Sequence, residues 1–190
     1  MEEKDENNND EKKGDSIWWG IISDEYYSGE DSIQTLQLIK ILRDDYDQFE
    51  SEARSNLRQE VLGMLNKLLR EWIKEAALSE GKDEITASRA GGQIFTFGSY
   101  SLGVHGPNTD IDTLCVAPRF VDRDKHFFGT LVEILKKNPE VTELCPVPYT
   151  KVPIIKMKFR DIDIDLLFAR ISAPIISEDL KSLQDDSILK

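Results

Sequence analysis

Asp110 and Asp112, which are separated only by Ile111, are the side chains in this sequence best suited to chemistry. Side chains on a strand alternate between its two faces, so aspartates at this spacing point the same way. Their charges repel each other, and a divalent cation between them would remove that cost. Mg²⁺ prefers carboxylate and phosphate oxygens in octahedral geometry. The pattern therefore favours a metal-binding platform, for which the alternative is a solvated strand end.

A glycine–serine pair, Gly98-Ser99, precedes these aspartates and follows a short apolar segment. Glycine allows the backbone to approach a ligand closely. Ser99 stands where a helix is expected to begin, so its hydroxyl and the nearby N–H groups are available to a phosphate. Turns use both residue types for conformational reasons alone, and the pair by itself is a weak signal. Beside a platform of carboxylates, however, a phosphate cradle predicts phosphoryl or nucleotidyl transfer.

A further acidic segment contains Asp161, Asp163 and Asp165, which alternate with apolar residues. On a regular strand all of them face one side while the apolar residues face the core. Asp165 directly precedes an apolar run and is expected to lie deepest in the sheet. A third carboxylate there would complete a two-metal site, with the metals about 3.5–4 Å apart. The alternative for Asp161 and Asp163 is a position on the surface.

Other site chemistries find less support in the sequence. The glycine-rich turn does not match the G-x-x-x-x-G-K-[ST] pattern of a P-loop. We expect His105 to be a turn residue and His126 to lie on a helix surface, and assign neither a catalytic role. Lys156, Lys158 and Arg160 share one predicted strand face. That face is expected to be solvated, with contact to a phosphate backbone as the alternative.

The elements that position these residues are predicted from hydrophobic periodicity. One predicted helix begins near residue 31, and two others cover residues 51–78 and 124–137. The predicted strands are 93–97, 110–116, 141–144, 152–159 and 162–170, with a glycine-rich turn over 98–105. In this order of elements, helices come first and are followed by strands with one helix among them. The order predicts an α+β domain with a mixed sheet and N-terminal helices.

Composition limits the classes to which the chain can belong. It has 190 residues, enough for one domain, and its formal net charge is −12. We expect residues 1–16 to be a disordered acidic tail and residues 17–190 to be the folded domain. No apolar stretch reaches the ~20 residues of a membrane span, so no membrane partner is expected. The acidic balance argues against nucleic-acid binding through bulk charge.

Two cysteines, Cys115 and Cys145, are present, and neither belongs to a C-x-x-C pair. Two cysteines are too few for a disulfide scaffold or a structural zinc site. We therefore expect a reducing compartment, the cytosol or the nucleus. The N-terminus carries no apolar segment of the kind found in secretory signals.

Several segments carry motifs that are far more specific than a pair of aspartates. They are 94–106 (IFTFGSYSLGVHG), 110–119 (DIDTLCVAPR), 139–144 (PEVTEL), 152–159 (VPIIKMKF) and 164–170 (IDLLFAR). These segments closely resemble the catalytic domain of eukaryotic nuclear poly(A) polymerases. The similarity extends over about residues 30–190, and His105-Gly106-Pro107 and Pro146-Val147-Pro148 are most similar to the plant members.

The resemblance implies a polymerase-β-like nucleotidyltransferase domain. The implied reaction is template-independent transfer of AMP from ATP to the 3′ hydroxyl of an RNA, as in mRNA polyadenylation. The partners would be ATP, the RNA 3′ end and mRNA 3′-processing factors, and the location would be the nucleus. By resemblance, Asp110, Asp112 and Asp165 are the catalytic residues and ligate Mg²⁺, with Mn²⁺ as a substitute. The nucleotide-binding residues would be Phe97, Gly98, Ser99, Asp110, Ile111, Asp112 and Asp165.

The sequence also departs from the family pattern. Ser101 stands where the family usually has arginine, and Lys151 stands where an aromatic residue often contacts RNA. We nevertheless expect Lys151 to be an RNA contact. We also expect the family's central and RNA-binding domains to be absent, which leaves the activity of this chain alone an open question. Two alternatives remain: a related nucleotidyltransferase of different specificity, such as a CCA-adding or uridylyl-adding enzyme, and an inactive truncated binding or decoy module.

Overall fold

A computed structural model describes residues 25–177, 179–180 and 183. The acidic tail predicted over residues 1–16 lies outside this range. The described residues fall into two units, divided between Ile41 and Leu42. Helix α1, Gly29–Asp44, accounts for most of what is described of the first unit, and it confirms the helix expected near residue 31. Within the described residues, no helix is both long enough and apolar enough to span a membrane.

Helix α2, Glu52–Ser79, is the long helix that periodicity predicts. The hydroxyl of Ser51 caps it by accepting a hydrogen bond from the backbone N–H of Arg54, at 3.2 Å. One face of the helix enters the core. Its buried apolar residues are Val61, Leu65, Leu69, Trp72, Ile73, Ala76 and Ala77. The buried indole N–H of Trp72 has a hydrogen-bond partner, because it donates to the hydroxyl of Thr130 at 2.9 Å.

Two short helices refine the predicted pattern. Helix α3, Glu84–Arg89, begins at Asp83, whose carboxylate accepts the first free N–H groups of the helix. Helix α4, Gly98–Leu102, occupies the first part of the predicted glycine-rich turn. It ends at Gly103, which adopts a left-handed conformation.

The helix predicted over 124–137 has a π-helical first part, Arg123–Leu131, followed by helix α5, Val132–Lys137. The prediction that His126 lies on the helix surface is wrong, since only 1% of the residue is exposed. Its Nδ1 accepts a hydrogen bond from the backbone N–H of Asp122 at 2.8 Å. Burial lowers the pKa of His126, which favours the neutral ring that this contact requires.

In the part of the chain that the structure describes, the strands form a five-stranded sheet in the order β1-β2-β5-β4-β3. Their bounds are Gln93–Phe97 for β1, Ile111–Ala117 for β2, Val141–Val147 for β3, Ile154–Phe159 for β4 and Ile162–Arg170 for β5. Strands β2 and β5 are parallel, and the other neighbours are antiparallel. The prediction of an α+β fold with a mixed sheet and N-terminal helices is therefore confirmed.

The sheet separates an apolar face from an acidic one. On β5, Ile162, Ile164 and Leu166 are buried, while Asp163 and Asp165 between them are half-buried on the opposite face. Asp161 does not share this face as predicted. It lies in the turn between β4 and β5, where Phe159 pairs with Ile162 across the hairpin.

This two-residue turn contains Arg160 and Asp161, both with positive φ, at 48° and 64°. Hairpins favour such turns because their twist matches that of the strands, but side chains other than glycine are strained there. We expect Asp161→Gly to raise the free energy of unfolding by about 0.5–1 kcal/mol. Urea denaturation would measure this gain. Asp163→Gly, within the strand, is expected to destabilise the protein, and stabilisation by both variants would contradict the explanation.

Candidate active site

Three aspartates from two neighbouring strands meet at one place on the acidic face. Asp110 immediately precedes β2, Asp112 lies on β2, and Asp165 lies directly opposite Asp112 on the parallel strand β5. Each of the three is half-buried and offers one carboxylate oxygen, and these oxygens all lie within 4.8 Å of one another. We call Asp110, Asp112 and Asp165 the acidic triad.

Alternation along β2 explains why these carboxylates face outward together. Ile111 and Thr113, the neighbours of Asp112, are fully buried on the other face. The Thr113 hydroxyl donates to the backbone carbonyl of Asp165 at 3.0 Å, which supports the register between the two strands. The Ile111 side chain is part of the hydrophobic core. Only the backbone of Ile111 is therefore available for the nucleotide contact predicted for this residue.

Gly98 brings the chain between β1 and α4 against the triad. Phe97, the last residue of β1, pairs with Asp112, and Gly98 follows with a φ of 67°. A Cβ at Gly98 would lie 2.2 Å from Oδ2 of Asp112. The absence of a side chain therefore leaves the space that the Asp112 carboxylate fills. The next residue, Ser99, is half-buried in the first turn of α4.

The charges of the triad are only partly balanced. Burial raises the pKa of the Asp112 carboxyl, and the charges of Asp110 and Asp165 raise it further. Among the described residues, the ammonium of Lys156 lies against the triad, with Nζ 2.6 Å from Oδ2 of Asp165. This hydrogen bond raises the pKa of the Lys156 ammonium, which stays charged. A cluster of hard oxygen donors with excess negative charge suits a divalent cation.

The basic residues of β4 and its turn are partly solvated, and each also forms an ion pair. Lys156 pairs with Asp165, Lys158 pairs with Glu143 at 2.9 Å, and Arg160 pairs with Glu60. Sequence reasoning missed the place of Lys156 in the site. The signal was available, because a two-residue turn at 160–161 sets Lys156 opposite Asp165.

An open cavity of about 490 Å³ adjoins the triad. Its lining includes Asp110, Asp165 and Lys156, together with Asn108 from the loop before β2 and Cys145 from β3. A space of this size beside the carboxylates is sufficient for a small polar ligand. Lys151, the expected RNA contact, is exposed in the segment between β3 and β4, and its role remains a prediction.

We expect Lys156→Met to expose the repulsion within the triad. Without Mg²⁺, loss of this partly exposed ion pair should lower the free energy of unfolding by about 0.5–1 kcal/mol. Added Mg²⁺ should then stabilise the variant more than the wild type, because no ammonium competes for Asp165. Thermal unfolding with and without MgCl₂ measures both effects. Lys158→Met, which removes a neighbouring lysine that does not contact the triad, is the control, and an equal response of both variants would reject the explanation.

Comparison with known proteins gives a consistent result. The family described as "Poly(A) polymerase nucleotidyltransferase domain" matches residues 21–190. The poly(A) polymerase of Dictyostelium discoideum is 49% identical over 145 residues, 76% of this chain and 18% of that protein. Nuclear poly(A) polymerase 1 of Arabidopsis thaliana is 46% identical over 160 residues, 84% of this chain and 22% of that protein. For poly(A) polymerase pla1 of Schizosaccharomyces pombe, the identity is 45% over 175 residues, 90% of this chain and 30% of that protein.

Among solved structures, the GLD-2/RNP-8 complex aligns with a TM-score of 0.48 and 15% identity, over 70% of this chain and 39% of that chain. The polymerase core of TRAMP aligns with a TM-score of 0.43 and 25% identity, over 66% of this chain and 34% of that chain. The chain spans 18% to 30% of the length of the three curated relatives. On the strength of the family match and of these sequence identities, the chain belongs to the poly(A) polymerase nucleotidyltransferase domain family.

Proposed function

We propose that the chain carries the catalytic carboxylates of a template-independent polynucleotide adenylyltransferase. The observation that supports this most strongly is the acidic triad, whose oxygens lie within 4.8 Å of one another beside the backbone of Gly98. In the proposed reaction the 3′ hydroxyl of an RNA gives up its proton to water, and a bond forms between its oxygen and the α-phosphorus of ATP. The bond from that phosphorus to the β-phosphate oxygen breaks, and pyrophosphate leaves.

Asp110, Asp112 and Asp165 would hold two Mg²⁺ ions, with Mn²⁺ as a substitute. The fit rests on the donor set: these carboxylates offer hard oxygens, and their mutual repulsion is only partly relieved by Lys156. Bound metal would lower the pKa of the attacking hydroxyl and neutralise charge on the phosphates. Removal of metal by chelation is therefore expected to stop the reaction.

The other proposed roles belong to the residues around the triad. Phe97, Gly98 and Ser99 would contact the nucleotide, Gly98 through its backbone. Ile111 would contribute only its main chain, since its side chain is buried. The ammonium of Lys156, which donates to Asp165, would hold that carboxylate in place until metal binds. Lys151 would contact the RNA.

The substrates and setting of the whole protein are part of the same proposal. The substrates would be ATP and an RNA 3′ end, with mRNA 3′-processing factors as partners. A nuclear location is supported by the name of the Arabidopsis relative, a nuclear poly(A) polymerase. Domain organisation is proposed as residues 17–190 forming the nucleotidyltransferase domain after an acidic tail.

Primer extension tests the proposal. The purified chain is incubated with an oligo(A) RNA, Mg²⁺ or Mn²⁺ and each nucleotide in turn, beside an Asp110→Ala/Asp112→Ala control. The proposal predicts a ladder with ATP that is absent from the control. A ladder with UTP or CTP instead would assign a different nucleotide specificity. Absence of any ladder from a folded chain would reject independent activity and favour a binding module.

A further inference from the structure

The first turns of α2 are hydrogen-bonded to both segments of backbone that lead into the acidic triad. Nε of Arg54 donates to the carbonyl of Pro107 at 2.9 Å, and its Nη2 donates to the carbonyl of Asp161 at 3.2 Å. Pro107 lies three residues before Asp110, and Asp161 lies four residues before Asp165. One side chain therefore ties together the approaches to two carboxylates on different strands.

Arg58, one turn further along α2, contacts the segment before Asp110 from the buried side of that segment. Its side chain is fully buried and pairs with Glu50, whose side chain is 6% exposed, at 2.6 Å. Nη2 of Arg58 donates to the carbonyls of Gly106 and Pro107, at 3.4 and 3.2 Å. Glu50 also reaches the loop, since its Oε2 lies 3.1 Å from Nε2 of His105.

A buried ion pair is weak evidence for a contribution to stability. Removing two charges from water costs about as much as their attraction returns, and apolar residues of similar volume often serve stability equally well. Apolar residues could not supply the directed bonds that this pair makes to the loop over 103–109. Arg58 donates to backbone carbonyls there, and Glu50 contacts the ring of His105. A hydrogen bond within the loop also stabilises it, since the N–H of Gly106 donates to the hydroxyl of Thr109 at 3.0 Å.

We propose that Glu50, Arg54 and Arg58, together called the α2 clamp, are positioning residues for the acidic triad. The clamp fixes the loop before Asp110 and the turn before Asp165 relative to each other. It thereby sets the separation of the carboxylates that must share a cation. This inference rests on the proposed function, since it assumes that the triad binds metal.

Mn²⁺ binding, followed by electron paramagnetic resonance, tests the clamp without relying on activity. The main variant is Glu50→Leu/Arg58→Met, which replaces the buried pair by apolar side chains and is expected to stay folded. We expect its affinity for Mn²⁺ to fall about 10-fold or more, as when groups that orient metal ligands are removed. Lys74→Met/Glu84→Leu is the control, because it removes an ion pair between α2 and α3 that touches neither segment leading to the triad.

The outcomes separate the clamp from the proposed function. A folded double variant that binds Mn²⁺ as the wild type does would overturn the clamp alone. A wild type that binds no Mn²⁺ would overturn the metal site and the clamp with it. Should the double variant fail to fold, Arg54→Met replaces it, which removes the bonds to Pro107 and Asp161 and a 4.0 Å ion pair with Glu50. Its Mn²⁺ affinity is expected to fall about 10-fold, the low end of the losses seen when groups that orient metal ligands are removed, and unchanged affinity would overturn the clamp.

Discussion

Asp112→Asn is expected to abolish AMP transfer while making the metal-free protein more stable. The variant loses one charged member of the acidic triad, so the rate should fall at least about 10³-fold, or about 4 kcal/mol of transition-state stabilisation. Stability should rise because burial and the charges of Asp110 and Asp165 disfavour the ionised form of Asp112 in the fold. Opposite effects on activity and stability are typical of a functional site.

The sign of the stability effect follows from the pKa of Asp112. Its value in the fold is raised above 3.8, so the folded protein binds this proton more tightly than the unfolded chain does. The destabilisation is therefore absent at pH below 3.8 and develops as the pH rises through the raised pKa. The melting temperature of Asp112→Asn should exceed that of the wild type at pH 7, by a margin that shrinks towards pH 4.

Asp163→Asn is the matched control for this prediction. Asp163 is half-buried on the same face of β5 and lines the same cavity, but it lies outside the triad. Its variant should retain transfer within a few-fold of the wild type. Equal losses of transfer in both variants would show that transfer depends on the overall acidity of this face of the sheet and not on the triad. Full activity of Asp112→Asn would remove Asp112 from the proposed site.

Gly98→Ala is expected to lower the rate of AMP transfer about 100-fold or more. The new methyl group would lie 2.2 Å from Oδ2 of Asp112, and the carboxylate must move to make room. Displacement of a reacting or ligating group by about 1 Å can cost about 10²-fold. The left-handed φ of 67° adds strain, which costs about 1 kcal/mol or more of stability.

Gly103→Ala separates these two causes. Gly103 ends the same short helix with a φ of 70°, yet no atom of the described residues lies within 4 Å of the position of its Cβ. Both variants should lose similar stability in thermal unfolding, but only Gly98→Ala should lose Mn²⁺ binding and transfer. If Gly103→Ala loses transfer equally, backbone strain in α4 accounts for the effect, and contact with Asp112 does not.

Sequence patterns predicted the parts of the site that depend on short-range periodicity. The alternation of Asp110 with Ile111, and of Asp165 with Ile164, fixes which side chains leave the core, because a strand has a period of two residues. The hydrophobic face of α2 was predictable from the 3.6-residue period of a helix, and the mixed sheet from the order of helices and strands. The fold is confirmed, whereas the roles of the site residues remain proposals.

Contacts between distant segments could not be predicted in this way. Nothing in the residue types of Glu50 and Arg58 predicts burial. Their pairing with each other and their contacts with the loop before Asp110 account for it. His126 reads as a polar helix residue until the backbone N–H of Asp122 supplies its partner. Lys156 could have been placed from the hairpin register, but only once the turn at residues 160–161 was recognised.

Direct titration of the metal site tests the central claim most closely. Mn²⁺ binding to the wild type is compared with binding to an Asp110→Asn/Asp112→Asn/Asp165→Asn variant, with and without ATP, by electron paramagnetic resonance. We predict that the wild type binds Mn²⁺, more tightly when ATP is present, and that the folded triple variant binds none at this site. Equal binding by both proteins would contradict the claim that these aspartates hold the metal for nucleotide transfer.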